Sequence, residues 1–478
     1  MKKSLVQYIL IGFIGLFCLV STLSAQDSLT QVQDSLTHIT SETFPAPLID
    51  ENAASLESPE LNVGNTAWIL VATILVMLMT IPGLAFFYGG LVRRKNVLSV
   101  MMQCILLTAL ISVMWVAFGY SWVFGTEFME SENPLGFIMG GFDKVFFNGM
   151  GIETLLEGVH IPEILFAMFQ CKFAIITPAL IIGAFAERIK FSGFLLFSAL
   201  WAVIVYNPMA HWVWGGGWMQ EMGAIDFAGG TVVHINAGVS ALVMAIMLGR
   251  RKGYRTVGHP IPPHNIPFVV LGTALLWLGW FGFNAGSGLA ADGLAANALL
   301  VTHLATAAAA LVWMALEWFI NKKPTVVGIC TGSVAGLVAI TPAAGTVDVL
   351  GAFFIGIISA VVCFMMVAWV KPKLKYDDSL DAFGVHGVGG FVGAILTGVF
   401  ATQLISGDGG VQGALYGDWH QLGVQFICNG AAIVYSAVLT FILFKVVDKI
   451  VGLRVTKEEE AMGLDITQHG EMAYSDDE

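Results

Sequence analysis

Eleven runs of apolar residues, separated by short connections, leave this chain little to fold into except a membrane-spanning bundle. A helix needs about 20 apolar residues to cross a bilayer core of ~30 Å. Runs of that kind lie at roughly 66–90, 97–124, 162–187, 191–210, 228–249, 267–288, 296–320, 325–342, 348–370, 383–404 and 422–447. Hydrocarbon offers no water to unpaired backbone groups, so spanning segments are helices or a closed barrel, and runs this long exclude the barrel. The expected fold is an all-α membrane protein with about 11 transmembrane helices.

Basic residues set the direction of the spans, because they collect on the cytoplasmic side. Arg93-Arg94-Lys95, Arg188 with Lys190, Arg250-Arg251-Lys252 with Arg255, Lys322-Lys323, and Lys371, Lys373 and Lys375 occupy alternate connections, while those between contain only Lys144. The alternation places the N-terminus extracytoplasmic and the C-terminus cytoplasmic. Residues 1–25 carry Lys2 and Lys3, an apolar core from Tyr8 to Val20 and then Ser-Thr-Leu-Ser-Ala, the order of a signal peptide. An uncleaved anchor stays open as the alternative, since Leu23 fits the small-residue cleavage pattern poorly. Residues 26–62 lack apolar periodicity and read as a disordered extracytoplasmic leader, followed by a transmembrane domain over 63–447 and a cytoplasmic tail over 448–478.

Charged residues make up 12% of the chain, against about 25% in soluble domains, and the formal charge of −12 resides mainly in the two ends. That distribution argues against a nucleic-acid partner. The six cysteines lie in apolar stretches without a CxxC pair, so neither disulfide nor zinc site is expected.

Two intramembrane histidines carry the chemistry. In GGTVVHINAG, His234 follows Asp226 by eight residues; in DAFGVHGVGG, His386 follows Asp378 by the same interval. The first pair introduces span five and the second span ten, which run in opposite directions. Spans one to five and six to ten therefore read as an inverted 5+5 repeat with one helix added. An ionisable residue in hydrocarbon faces a cavity, a pathway or a partner, and a lone histidine is ordinarily a satisfied interhelical hydrogen bond. Two on inverted helices, each among small residues that allow close approach, can share one hydrogen bond and keep a nitrogen free for a lumen. A haem or metal pair stays open as the alternative, but no third ligand or HExxH accompanies them, and the expectation is no cofactor.

HWVWGGGW and LGWFGFNAGSG form a second constellation at the outer ends of spans four and six. Trp212 and Trp218 read as lipid anchors. Trp214, ahead of three glycines, reads as a ring held by a tight backbone, and Ser287 adds a hydroxyl among small residues. An indole face beside a hydroxyl suits a small cation that also donates hydrogen bonds.

These stretches, together with FYGGLVRRKNVLS, AFAERIKFS and the tail GLRV…EEEAMGLD…HGEMAY, resemble the ammonium transporter family that includes the yeast permeases and Rhesus glycoproteins, over nearly the whole chain after residue 62. The resemblance implies a homotrimer of eleven-helix subunits in the cell inner membrane, each subunit with its own pore for ammonium or methylammonium, and no enzyme activity. It further implies an outer binding site of Phe173, Trp214 and Ser287, a gate of Phe173 and Phe283, a proton relay of His234 and His386, and structural support from Asp226, with Asp378 its counterpart in the second half. Ammonium bound outside would lose its proton before a dry passage that potassium cannot enter, because burial disfavours a charged amine by as much as about 3–5 pKa units.

One departure stands in FQCKFA, where Lys172 precedes the gate phenylalanine. Adjacent helical residues differ by about 100°, which turns Lys172 from the pore towards a subunit interface or the headgroups; in the vestibule it would repel ammonium. The Glu458-Glu459-Glu460 run suits a solvated tail, yet the family resemblance implies an ordered tail contacting a neighbouring subunit and a nitrogen-regulatory signalling trimer. Two other functions compete with transport: an ammonium sensor signalling through its tail with little flux, and a redox enzyme with histidine-ligated haem.

Overall fold

A computed structural model describes residues 60–130, 133–254, 261–407 and 409–474. The expected signal peptide, and the expected leader through residue 59, lie outside them. Among the described residues ten helices are long and apolar enough to cross a membrane: α1 Val63–Leu91, α2 Arg94–Glu130, α3 Glu163–Phe185, α4 Phe191–Glu221, α5 Gly230–Leu248, α6 Ile266–Gly286, α7 Gly293–Asn321, α9 Val349–Leu374, α10 Phe383–Phe400 and α11 Trp419–Val451. The eleventh predicted span is α8, Val326–Ile340, with 15 residues. It is shorter because its second half is enclosed: every residue from Gly332 to Gly345 is buried, so the turn that ends the helix needs no headgroup contact.

Side-chain caps start six of these helices. Asn62, Asn265, Asp292, Thr325, Asp348 and Asp418 each accept a backbone N–H from the first turn of α1, α6, α7, α8, α9 and α11, a contribution of about 1 kcal/mol apiece. Small residues then decide which helices touch. A Cβ on Gly272 of α6 would lie 2.3 Å from the Phe87 backbone nitrogen of α1, and one on Gly356 of α9 would lie 2.3 Å from the Ala305 carbonyl of α7. Those backbones approach closely because nothing stands between them.

Four of the five connections rich in Arg and Lys meet at one end of the bundle in a buried ionic network, and the Lys322-Lys323 turn stays exposed outside it. Glu187 takes Arg93 at 2.7 Å and Arg251 at 3.3 Å, Arg251 pairs with Asp377 at 2.9 Å, and Arg188 donates to Ser379 Oγ and the Asp377 carbonyl, both at 2.6 Å. Burial alone would raise the Glu187 carboxyl, but Arg251 and Arg93 outweigh it and hold the group below the ordinary glutamate value.

The tail folds onto this end. Asp465 accepts the Ser99 N–H at 2.8 Å in the first turn after Asn96, and the Leu464 N–H reaches Asn96 Oδ1 at 2.8 Å. The helix α12, Lys457–Met462, opens with a Thr456–Glu459 capping box. A fully solvated Glu458-Glu459-Glu460 run is not what forms: Glu460 is 2% exposed, accepts the Lys252 N–H and pairs with Arg454 at 2.9 Å.

Candidate functional site

The opposite end of the bundle holds a vestibule of about 320 Å³, whose lining includes Gln170, Phe173, Trp214, Gln220, Asp226 and Ser287. Three adjacent structures hold its walls. Gly215 lets α4 lie against α2, where a Cβ would meet the Val123 carbonyl at 1.9 Å, and Gly216 turns the chain with φ +86°. Trp214 Nε1 donates to the Asp226 carbonyl at 2.8 Å, which fixes the indole plane. Ser287 donates its hydroxyl proton to the Phe283 carbonyl at 2.8 Å, so its oxygen turns lone pairs to the vestibule. Indole and hydroxyl thus present electron density and no free donor, the arrangement a hydrogen-bonding cation requires.

Trp212 does not sit at a lipid boundary. It is 7% exposed, donates Nε1 to the Phe137 carbonyl at 2.7 Å and packs on Tyr435 at 4.5 Å, because the 125–161 connection folds over it. Lys144 in that connection pairs with buried Glu163, which also accepts from Tyr120. Lys172 is 9% exposed and is absent from the vestibule lining, unlike its neighbour Phe173.

From the vestibule a continuous aromatic file leads inward. Phe173 meets Trp214 edge-on at 5.8 Å and stacks on Phe283 at 4.3 Å; Phe283 lies 6.1 Å from His234, and His234 lies 5.3 Å from His386 at an interplanar angle of 18°. The two Nδ1 atoms are 3.3 Å apart, so one neutral ring donates and the other accepts. His234 Nε2 is buried and finds no hydrogen-bond partner within the chain. Each histidine sits on a widened helical turn, Gly230–Ile235 or Phe383–Gly387. Each turn is close to the other helix only through a glycine: a Cβ on Gly238 would meet the Gly387 nitrogen at 2.1 Å, and one on Gly390 would meet His234 Cβ at 2.9 Å.

The aspartates start these turns. Asp226 accepts the N–H groups of Gly229, Gly230, Thr231 and Val232 at 2.9, 2.5, 2.8 and 3.0 Å. Burial raises its carboxyl above the ordinary value in spite of those four donors. Asp378 accepts from Ala382 at 3.1 Å and Phe383 at 2.8 Å, and burial, with Asp381 opposing Lys371, pushes it up to about 6.

Two residues without an assigned role in the sequence reading belong to this file. Trp280 stacks on His234 at 5.3 Å and 18°, and its Nε1 donates to Thr341 Oγ1 at 2.8 Å, which anchors the ring beneath the histidine. Its place one turn before Phe283 on the same helix was the available signal. Gln170, one turn before Phe173 on α3, carried the same signal for the vestibule. Among the described residues no cluster of His, Cys, Asp or Glu could hold a metal ion.

Known proteins resemble this chain over nearly all of its membrane domain. Residues 67–474 match the model of the Ammonium Transporter Family. The ammonium transporter of Aquifex aeolicus is 51% identical over 87% of this chain and 94% of its own. Saccharomyces cerevisiae Mep2 superimposes with a TM-score of 0.77 at 35% identity, over 87% of this chain and 93% of that one, and a structure titled Sensor Amt Protein gives 0.77 at 31% over 85% and 98%. With a family match across its whole membrane domain, the chain belongs to the ammonium transporter family.

Proposed function

We propose that this chain takes ammonium from the vestibule, separates its proton there and conducts ammonia past Phe173 and Phe283 to the paired histidines, which carry the proton. The observation that supports the reading best is the unbroken file from Trp214 to His386, with the 3.3 Å contact between Nδ1 atoms and the unpartnered Nε2 of His234. A cation enters a box of indole and hydroxyl that favours charge. Beyond the stacked phenylalanines only a neutral molecule is favoured, because an ion in that dry passage loses its hydration without a counter-charge. Ammonium has a proton to lose, and potassium has none. His234 Nε2 then meets ammonia as a donor or an acceptor, according to its tautomer.

In this reading the vestibule is extracytoplasmic, the basic end and the tail are cytoplasmic, and the subunits assemble as homotrimers in the cell membrane. The likeness to a structure titled Sensor Amt Protein keeps a sensing role as the second reading. Purified protein in liposomes, given ammonium or potassium pulses, distinguishes them. Transport predicts a sustained charge movement with ammonium alone; a sensor predicts binding with negligible flux, and equal currents with potassium would overturn proton separation.

A further inference from the structure

A third buried histidine lies at the vestibule end, outside the file that leads to His386. His211 is 0% exposed, and each ring nitrogen meets a carbonyl oxygen: Nδ1 lies 2.8 Å from that of Val123 on α2, and Nε2 lies 2.9 Å from that of Gly136 in the 125–161 connection. A carbonyl oxygen only accepts. Neutral imidazole has a single N–H, so it makes one of these bonds and sets a lone pair against the other oxygen; only the imidazolium makes both. The surroundings suit a cation. Val123 stands in the helical turn Tyr120–Phe124, before the chain becomes extended at Gly125, where unpaired carbonyls form the negative end of a helix. A carboxylate stands close by: a Cβ on Gly125 would meet Asp143 Oδ1 at 2.4 Å, and that oxygen is buried without a hydrogen-bond partner.

We propose that His211 is a positioning residue of the vestibule: as an imidazolium it clasps α2 and the 125–161 connection to α4, and so fixes the ring of Trp214. This role rests on Trp214 being a cation ligand and supplies what aims its indole. His211 precedes Trp214 by three residues, and its own carbonyl accepts the N–H groups of Gly215 at 2.9 Å and Gly217 at 3.1 Å, in the turn that follows the indole. Trp212 beside it donates to the Phe137 carbonyl, next to Gly136, so two adjacent side chains grip one segment of the connection. The indole is then held from both sides, by its own bond to the Asp226 carbonyl and by the backbone anchored at His211. His211 is absent from the vestibule lining, so its charge faces the two carbonyls and not an incoming cation.

The test is charge movement in liposomes against ammonium concentration, with full-length His211→Phe, which keeps a ring and removes both donors, Trp214→Leu and the double variant. His211→Phe should raise the half-saturating concentration several-fold with the maximal rate per folded protein unchanged, and should add nothing in the Trp214→Leu background, because both changes act on one contact. A lower maximal rate with half-saturation unmoved would make His211 a packing residue and overturn the proposal, as would a full additional loss in the double variant. The two readings fail differently. An effect of Trp214→Leu without one of His211→Phe sinks the clasp alone, whereas no effect of Trp214→Leu sinks the cation-ligand reading and the positioning role with it. Nitrogen NMR of the histidine-labelled parental chain in lipid reads the protonation whether or not the variants fold. At neutral pH it should show one ring with both nitrogens protonated and protected from deuterium exchange; if every protected ring is neutral, there is no charged clasp.

Discussion

The segments Asp226–Gly238 and Asp378–Gly390 are two solutions to one problem, and they differ where their surroundings differ. Both place a histidine eight residues after an aspartate and a glycine four residues after the histidine. Both turn at the third residue after the aspartate with a positive φ, +112° at Gly229 and +60° at Asp381. Both continue into a widened turn that carries the histidine. Beyond that the likeness ends. Asp226 is held by four backbone N–H groups beside the vestibule, whereas Asp378 accepts two and lies near Lys371 and Asp381, which pair at 2.5 Å. A shared spacing thus produces a shared turn, while charge is arranged by location. The vestibule side keeps free cations out of the way of an incoming one, and the basic end joins the pore to an ionic collar and the tail.

The comparison breaks most decisively at the histidines. If the two segments contribute one relay, His234→Ala, His386→Ala and the double variant should each abolish ammonium-driven charge movement in liposomes, with the double no worse than either single, because members of one network are non-additive. Ammonium binding at the vestibule should persist. Full-rate electrogenic transport by the double variant would reduce both residues to packing.

The aspartates should separate next. Asp226→Ala orphans four buried donors and Asp378→Ala two, and each unsatisfied donor costs about 1–3 kcal/mol. Thermal unfolding in detergent should therefore show the larger loss at Asp226, several kcal/mol more if the donors stay buried. Equal losses would mean that the ionic collar matters as much to Asp378 as the backbone donors do to Asp226.

The basic end should lose stability in acid through Glu187. Its carboxyl is held below the unfolded value of about 4.3, so its stabilisation is present above that pH and fades as the pH falls through the folded value. Glu187→Gln should lower stability at neutral pH and flatten the acid limb of a melting-temperature profile. An unchanged limb would place the acid-sensitive group elsewhere.

At the vestibule, Trp214→Leu should weaken apparent ammonium affinity by about 0.5–2 kcal/mol, the worth of a cation–π contact. An unchanged affinity in a folded variant would make the indole a wall and not a ligand. The smallest effect is expected at Lys172, one residue from the gate. Lys172→Ala should transport at near the parental rate, since the side chain does not line the vestibule; complete loss of activity in folded protein would make it a participant.

The apolar runs alone determined the number and type of the spans, because a bilayer admits few alternatives to a helix of about 20 residues. The spacing of Asp226 with His234 and of Asp378 with His386 likewise carried the repeat, since a capped turn is a local structure. The site was legible where a residue stood in a motif, as Phe173, Trp214, Phe283 and Ser287 did. What the sequence could not decide was which side chains meet across helices. Trp280 reads as one more aromatic in a span until Thr341 holds it beneath His234. Trp212 reads as a lipid anchor until the 125–161 connection covers it, and Glu460 as a solvated charge until Arg454 and Lys252 enclose it. Periodicity and capping act within a few residues of one another. Burial and pairing depend on neighbours up to hundreds of residues away, and only the packed bundle supplies them.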